Sequence, residues 1–375
     1  MKRYIEEHVI KDLEKKIVLV SGPRQTGKTT LSKMLSEDYD YLNFDNPADR
    51  ERIVEQSWNR KKELIIFDEL HKMKNWKSFI KGVYDVEGIP PRIAVTGSAR
   101  LDIIRKMGDS LAGRYFQYRL HPLDPKEASG LFDPDKALDR ILNFGGFPEP
   151  FLEGNKIFYR RWQKTHLDII LRQDLVDLQS VQDIIGIETL IYMLKSRVGS
   201  RISYSSLARD LQKDHKTIKN WLTLLENLYV IFAVRPWHDN IARAILKEPK
   251  YYFYDTGQVN GNEGTRLENA AACSLKKQLD YLEDVFGKNC GLFYIQNKQG
   301  AEIDFTVCQD NIITHCFEVK LSDGNLSKNF SILKNGFRSA RRIQLVKNMR
   351  RSKTYRTGEE MHPAADYLAK IDLND

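Results

Sequence analysis

The chain has 375 residues, 59 Lys+Arg against 51 Asp+Glu for a net charge of +8, and 41% hydrophobic residues. That length exceeds one ordinary core and predicts two to three domains, and the composition excludes disordered and fibrous classes. No apolar stretch reaches the length of a membrane span, and the start, Met1-Lys2-Arg3-Tyr4-Ile5-Glu6-Glu7, turns acidic without an apolar signal core. The four cysteines (Cys273, Cys290, Cys308, Cys316) show no CxxC spacing. Reduced thiols, a cytoplasmic location and no membrane partner are therefore expected, and a zinc site is not.

Residues 1–125 read as one α/β unit. An amphipathic helix carrying Ile5, Val9 and Leu13 leads into the apolar run Ile17-Val18-Leu19-Val20, a buried strand. It feeds Gly22-Pro23-Arg24-Gln25-Thr26-Gly27-Lys28-Thr29, which has the G-x-x-x-x-G-K-[ST] spacing of a phosphate-binding loop. Glycines let the backbone curl so that its N–H groups face phosphate oxygens. The Lys28 ammonium suits β- and γ-phosphates, the Thr29 hydroxyl suits Mg²⁺, and the following helix turns its positive end to the anion. The nucleotide-binding set thus runs through Gly22, Pro23, Arg24, Gln25, Thr26, Gly27, Lys28, Thr29 and Thr30.

Tyr41-Leu42-Asn43-Phe44 predicts a second strand. Leu64-Ile65-Ile66-Phe67 is a continuous apolar run, as expected of a parallel strand covered on both faces. It ends in Asp68-Glu69, which predicts Asp68 at the carboxyl end of a strand beside the loop, holding Mg²⁺, with Glu69 polarising the attacking water. Ile93-Ala94-Val95-Thr96 leads to Gly97-Ser98, where the Ser98 hydroxyl is a candidate for the γ-phosphate or the water. Residues 114–120 read as a last, aromatic-rich strand. Strands alternating with helices imply a parallel sheet with helices on both faces.

Residues 126–185 have the pattern of an all-helical lid with a turn at Gly145-Gly146-Phe147-Pro148. Residues 186–256 read as a winged helix-turn-helix: a short capped helix at 205–211, a turn, a longer helix from Lys216 to Leu228, and strands at 229–234 and 251–254. Lys216 and Lys219 stand near the start of the second helix, where DNA-reading side chains sit.

Residues 257–375 hold a second constellation. Glu268 lies in a helical stretch, Glu302-Ile303-Asp304-Phe305 alternates as a strand, and Phe317-Glu318-Val319-Lys320 follows at hairpin distance. Strand periodicity puts Glu318 and Lys320 on one face. Asp304 and Glu318 could bind a metal ion, with Lys320 steadying charge on a phosphodiester and Glu268 completing the site. A helix over 328–337 and a strand at 343–346 complete an order similar to that of restriction-endonuclease-like cores. Between Gly324 and Gly358 stand ten Lys/Arg and no Asp/Glu, a candidate grip for a nucleic-acid backbone or a solvated basic face.

Together these residues resemble the prokaryotic predicted AAA+ ATPases whose C-terminal domain of unknown function joins a winged helix to a restriction-endonuclease-like unit. The resemblance covers nearly the whole chain and also includes Leu111-Ala112-Gly113-Arg114 and Asp255-Thr256-Gly257, followed by Gln258 where an apolar residue is usual. It implies a fold of P-loop NTPase (AAA+) domain, helical lid, winged helix-turn-helix and nuclease-like α/β domain. It also implies ATP binding and hydrolysis with Mg²⁺. Gly146-Phe147-Pro148 is similar to the lid turn by which related ATPases contact nucleotide, which makes Pro148 a nucleotide contact. Arg114 is similar to an arginine that senses γ-phosphate in cis or from a neighbouring subunit, so a homo-oligomer is a candidate state. Three functions stay open: an ATP-driven switch acting on DNA or RNA, an ATP-regulated metal-dependent nuclease, and an ATP-liganded protein-interaction module.

Overall fold

A computed structural model describes residues 1–89, 91–97, 111–174, 183–237, 247–297, 299–322, 325–333 and 339–374. The chain divides into two compact units. One comprises Met1–His121 with Asn227–Tyr229 and Asp284–Phe286; the other comprises Pro122–Glu226, Val230–Glu283 and Gly287–Asp375.

The first unit is built on parallel strands β1 (Ile17–Ser21), β2 (Tyr39–Asn43), β3 (Leu64–Asp68), β4 (Arg92–Thr96) and β5 (Tyr115–Arg119), in the order β2-β3-β4-β1-β5. Every residue of β1 and β3 is buried, as continuous apolar runs in a sheet covered on both faces require. Edge strand β2 buries only Leu42. Helices α1 (Glu6–Leu13), α2 (Lys28–Met34), α3 (Pro47–Val54) and α4 (Trp76–Glu87) flank the sheet in sequence. The N-terminus of α3 is fixed by Asn46, whose side chain accepts from the amides of Ala48 and Asp49, with Pro47 in the first turn. One core layer gathers Leu19, Leu42, Phe67, Ile80 and Val95, with Trp58 edge-on to Phe67 at 5.3 Å.

The strand order adds one fact to that expectation. The strand ending in Asp68 is separated from the loop strand by β4. A local reading of β3 carries no information about which strand inserts next to β1.

The second unit begins with helices α5 (Pro125–Ala128), α6 (Pro134–Phe144), α7 (Pro148–Glu153), α8 (Lys156–Ile169) and α9 (Ile184–Lys195). The turn between α6 and α7 needs glycines. Gly145 has φ +71°, and a Cβ on Gly146 would sit 2.2 Å from the Leu123 carbonyl oxygen. Helices α10 (Tyr204–Asp210) and α11 (His215–Asn227) follow, then the antiparallel pair β6 (Ile231–Pro236) and β7 (Lys250–Phe253).

That hairpin is one end of a longer sheet. β6 pairs in parallel with β8 (Cys290–Gln296) through Arg235 with Phe293 and Pro236 with Tyr294. Beyond β8 run β9 (Glu302–Gln309), β10 (Ile312–Ser322), β11 (Arg341–Asn348), β13 (Glu359–Pro363) and the short β12 (Lys353–Thr354), in the order β12-β13-β11-β10-β9-β8-β6-β7. A long helix, α12 (Glu263–Phe286), precedes β8, and α13 (Ala364–Ala369) follows β13. The helix expected over 328–337 is a 3₁₀ turn at Lys328–Ile332; residues 334–338 lie outside those described.

Candidate functional site

The phosphate loop leaves β1 with unusual backbone angles. Gly22 has φ +145°, and a Cβ there would lie 2.3 Å from the Leu120 carbonyl oxygen, so only glycine fits. Gln25 (φ +62°) and Gly27 (φ +91°), on either side of Thr26, take left-handed angles that curl the backbone, as a concave anion-binding loop requires. Thr26 Oγ1 donates to the Pro23 carbonyl at 2.8 Å and closes the curl. The Lys28 ammonium folds back over the loop and donates to the carbonyls of Gly22 at 3.0 Å and Pro23 at 2.6 Å. Thr29 and Thr30 stand in the first turn of α2, with Thr30 exposed.

Asp68, buried at the end of β3, collects donors on both oxygens. Oδ2 accepts from Thr29 Oγ1 at 2.7 Å and from the Tyr41 hydroxyl at 2.7 Å. Oδ1 accepts from the Thr96 hydroxyl and from the Glu69 amide at 3.1 Å. Thr29 therefore reaches Asp68 across the intervening β4, and Thr96 of β4 supports the same carboxylate. Burial first, then the hydrogen bond to Asp68, push the Tyr41 phenol well above its ordinary range, so it stays a donor. Thr29 and Asp68 form a pair of hard oxygen donors that fits Mg²⁺, and the glycine cradle fits a polyphosphate.

Glu69 follows in the left-handed region (φ +55°), a strained conformation for a non-glycine residue. Burial raises its pKa, while the charges of Lys28 and Lys72 oppose that rise. A carboxylate brought nearer neutrality is a better proton acceptor for water. Ser98 lies outside the described residues.

Arg114 is not near the loop of its own chain. It precedes β5, whose first residue pairs with Ile17 at the start of β1. The loop leaves the other end of β1, about 13 Å away at strand rise. The Arg114 guanidinium is held by Asp85, at 2.6 Å and 3.2 Å. Of the two routes left open for Arg114, in cis or from a neighbouring subunit, this geometry does not serve the first: in a parallel sheet the residue before a strand sits at the end opposite the phosphate loop. Pro148 opens α7 in the second unit.

Sequence reading missed Arg3, Tyr41 and Thr96. The buried Arg3 guanidinium donates to the Thr26 carbonyl at 2.9 Å and to the His121 carbonyl, fastening the loop. No local pattern marks a contact that crosses 118 residues.

In the second unit, antiparallel pairing of β9 and β10 aligns Phe305 with Phe317, which brings Asp304 and Glu318 opposite one another. Asp304 Oδ2 accepts from the Val319 amide at 2.8 Å. Glu318 is fully buried, 2.9 Å from the Lys320 ammonium, and accepts from Asn329 at 3.2 Å. Burial, and secondarily the Asp304 charge, raise the Glu318 pKa. Glu268 on α12 accepts from the Tyr252 hydroxyl at 2.7 Å, and burial followed by the Asp304 charge raises its pKa too. A buried lysine missed in the sequence, Lys250, pairs with Glu302 and lies 3.9 Å from Glu268.

The cluster is thus tied up by its own lysines and amides. Among the described residues, no three His, Cys, Asp or Glu converge on one metal position. The expected Asp304–Glu318 metal pair lacks that third converging ligand. The basic segment is also partly neutralised: Arg341 pairs with Glu360, Arg342 with Glu359, and Lys347 with Asp139 and Glu263. Arg350, Arg351, Lys353 and Arg356 are exposed. A cavity of about 740 Å³ between α8 and α9 contains none of the expected site residues.

A glycine cradle at the end of a central parallel strand, with a hydroxyl and a carboxylate paired beside it, defines the P-loop nucleotide-binding class. Family comparison is more specific. Residues 14–129 match an AAA domain and residues 135–267 match a domain of unknown function, DUF8612. The chain therefore carries an AAA-family domain at its N-terminal end, a class that binds and hydrolyses ATP and typically uses Mg²⁺.

An uncharacterized protein of Mycobacterium tuberculosis, Rv2008c, is 27% identical over 302 residues, covering 78% of this chain and 67% of its own. An uncharacterized protein of Methanocaldococcus jannaschii, MJ1544, is 26% identical over 353 residues, covering 83% and 76%. Among solved structures, RuvB of Thermotoga maritima aligns with TM-score 0.32 and 14% identity over 61% of this chain and 87% of that one. A signal-transduction ATPase with numerous domains and a tetratricopeptide repeat sensor, from Pyrococcus horikoshii, aligns with TM-score 0.24 and 14% identity over 76% and 48%. Among the described residues, no helix is long and apolar enough to cross a membrane.

Proposed function

We propose that this chain hydrolyses ATP as a conformational switch that acts on nucleic acid. The observation that carries the ATP half is the 2.7 Å pair between Thr29 and Asp68 beside a loop in which Gly22 cannot bear a side chain. Loop amides and Lys28 bind and orient the triphosphate. Thr29 and Asp68 hold Mg²⁺, which supplies charge neutralisation on the phosphate oxygens. Tyr41 and Thr96 fix the Asp68 carboxylate, and Glu69 orients the attacking water and accepts its proton. Arg114 enters this reading only through a neighbouring copy in a homo-oligomer, and Pro148 only as a contact from the lid.

Lys28→Ala should lower ATP turnover at least about 100-fold, the cost of losing a charge-stabilising donor in such a site. Phosphate release by purified protein measures it, and unchanged turnover would refute the assignment.

The nucleic-acid half rests on exposed Lys216 and Lys219 in the first turns of α11 and on the exposed basic residues around β12. These support a winged-helix contact and a backbone grip in a nuclease-like fold. Binding to DNA or RNA would then weaken steeply with salt, and ATP turnover would rise when nucleic acid is added. No binding to either polymer at low salt would replace this half with the protein-interaction reading. Cleavage at Asp304, Glu318 and Lys320 with Glu268 is not included, because among the described residues no third ligand converges with the Asp304–Glu318 pair.

A further inference from the structure

A second cavity, of about 310 Å³, lies wholly within the second unit and uses no residue of the phosphate loop. Four cations line it: Lys156 and Arg160 from α8, Lys195 from the end of α9, and Arg266 from the first turn of α12. No carboxylate is among its lining residues. Among the described residues, none of the four makes an ion pair. The remaining lining groups are mostly polar, with Asn143, Gln163 and Asn260 offering amide donors.

Several details separate this cavity from a solvated basic face. Arg266 Nε is sealed from solvent and has no acceptor. Lys195 is half-buried, and burial lowers its pKa, with only the Asp255 charge opposing. Asp255 itself is engaged from behind the wall: it accepts from the Tyr159 hydroxyl at 3.0 Å and the Gly257 amide at 3.2 Å. The wall is also built to close tolerance. A Cβ on Gly257 would meet the Tyr159 oxygen at 2.4 Å, and the Asn260 amide pins the Lys195 carbonyl at 3.0 Å.

Four like charges gathered from three helices repel one another, and partial burial of Lys195 and Arg266 weakens the solvent screening of their charges. A multiply charged anion removes it. Guanidinium groups present paired N–H donors that match phosphate geometry. The volume is at the small end for ligand sites, roughly 300–1,000 Å³, and suits a compact ligand.

We propose that this cavity is an anion site that binds the phosphate groups of a small phosphorylated ligand, independently of the phosphate loop. The probe is inorganic pyrophosphate, titrated calorimetrically at low salt into the full chain carrying Lys28→Ala, which weakens the phosphate loop as a competitor. Binding should persist in that background and weaken at least tenfold when Arg160→Ala or Arg266→Ala is added. Arg160 is exposed, so its removal does not threaten folding, and a melting curve on each variant checks this. Retained affinity in both double variants would overturn the proposal. So would loss of all pyrophosphate binding in Lys28→Ala alone, which would assign these cations no independent hold. A parallel titration with ATP and with a short single-stranded oligonucleotide distinguishes sources of the phosphate. Binding of the oligonucleotide without pyrophosphate would overturn the small-ligand assignment.

Discussion

At the scale of single residues, Asp68 shows how one carboxylate is aimed. Thr29 and Tyr41 share Oδ2, whereas Thr96 and the Glu69 amide share Oδ1. Thr96→Val keeps the shape and removes the hydroxyl. A hydrogen bond to a buried charged group is worth about 1.5–3 kcal/mol, and without it the carboxylate can rotate away from Thr29. Turnover should fall roughly tenfold, with a higher Mg²⁺ requirement, and Thr96→Ser should restore both. Mg²⁺ titration of ATP turnover measures it; a Thr96→Val enzyme with the wild-type Mg²⁺ profile would remove Thr96 from the site.

Asp255 makes a different argument at the same scale. Burial pushes its pKa from the ordinary 3.8 up to about 6, against the hydrogen bond from Tyr159. The folded chain therefore binds this proton more tightly than the unfolded chain. The stability it contributes is fully present below about pH 4 and is lost as pH rises through about 6. A shift of about two pKa units corresponds to about 3 kcal/mol as an upper value. Asp255→Asn is neutral throughout. The melting temperature of the wild type should thus fall relative to that variant between pH 4 and pH 6, and parallel curves across that window would contradict the buried-acid account.

At the scale of elements, what was legible is what is local. The loop announced itself because its glycines, lysine and threonine are consecutive, and β1 and β3 because a strand buried on both faces must be apolar without interruption. The insertion of β4 between them was illegible, since strand order is fixed by crossovers rather than by any one strand's residues. Thr96 was visible only as the last residue of a strand. Its role depends on that insertion, as does the path from Thr29 to Asp68. Arg114 is the opposite case. Parallel pairing places the start of β5 beside the start of β1 and so puts Arg114 at the far end from the loop, whereas family likeness alone left its own chain and a neighbouring subunit both open. In the second unit, alternation in residues 302–305 and 317–320 was enough to give the hairpin that faces Asp304 to Glu318. It could not give Lys250, which reaches Glu302 across 52 residues of sequence and neutralises the cluster.

At the scale of the whole molecule, the question is where one folding unit ends. Residues 186–256 read as a separate winged domain, yet the hairpin they contain is joined to the rest of the second unit by buried bonds. β6 continues into β8. The Phe253 amide donates to Asn269 Oδ1 at 2.8 Å, and Asn269 Nδ2 returns a bond to the Phe253 carbonyl at 2.8 Å. Tyr252 packs against Phe305 at 5.4 Å and donates to Glu268, while Lys250, 2% exposed, faces Glu302. A cut after residue 256 would strand Lys250 without its carboxylate and leave the Tyr252 hydroxyl and the Phe253 backbone unpaired. Each orphaned buried group costs about 1–3 kcal/mol, more for the charge, against a total domain stability of about 5–15 kcal/mol. The fragment 186–256 should therefore show no cooperative thermal transition. A circular dichroism melt of that fragment decides it. A cooperative transition with dispersed amide resonances from 186–256 alone would mean that the hairpin needs nothing from β8, β9 or α12, and that these buried bonds join two domains rather than complete one.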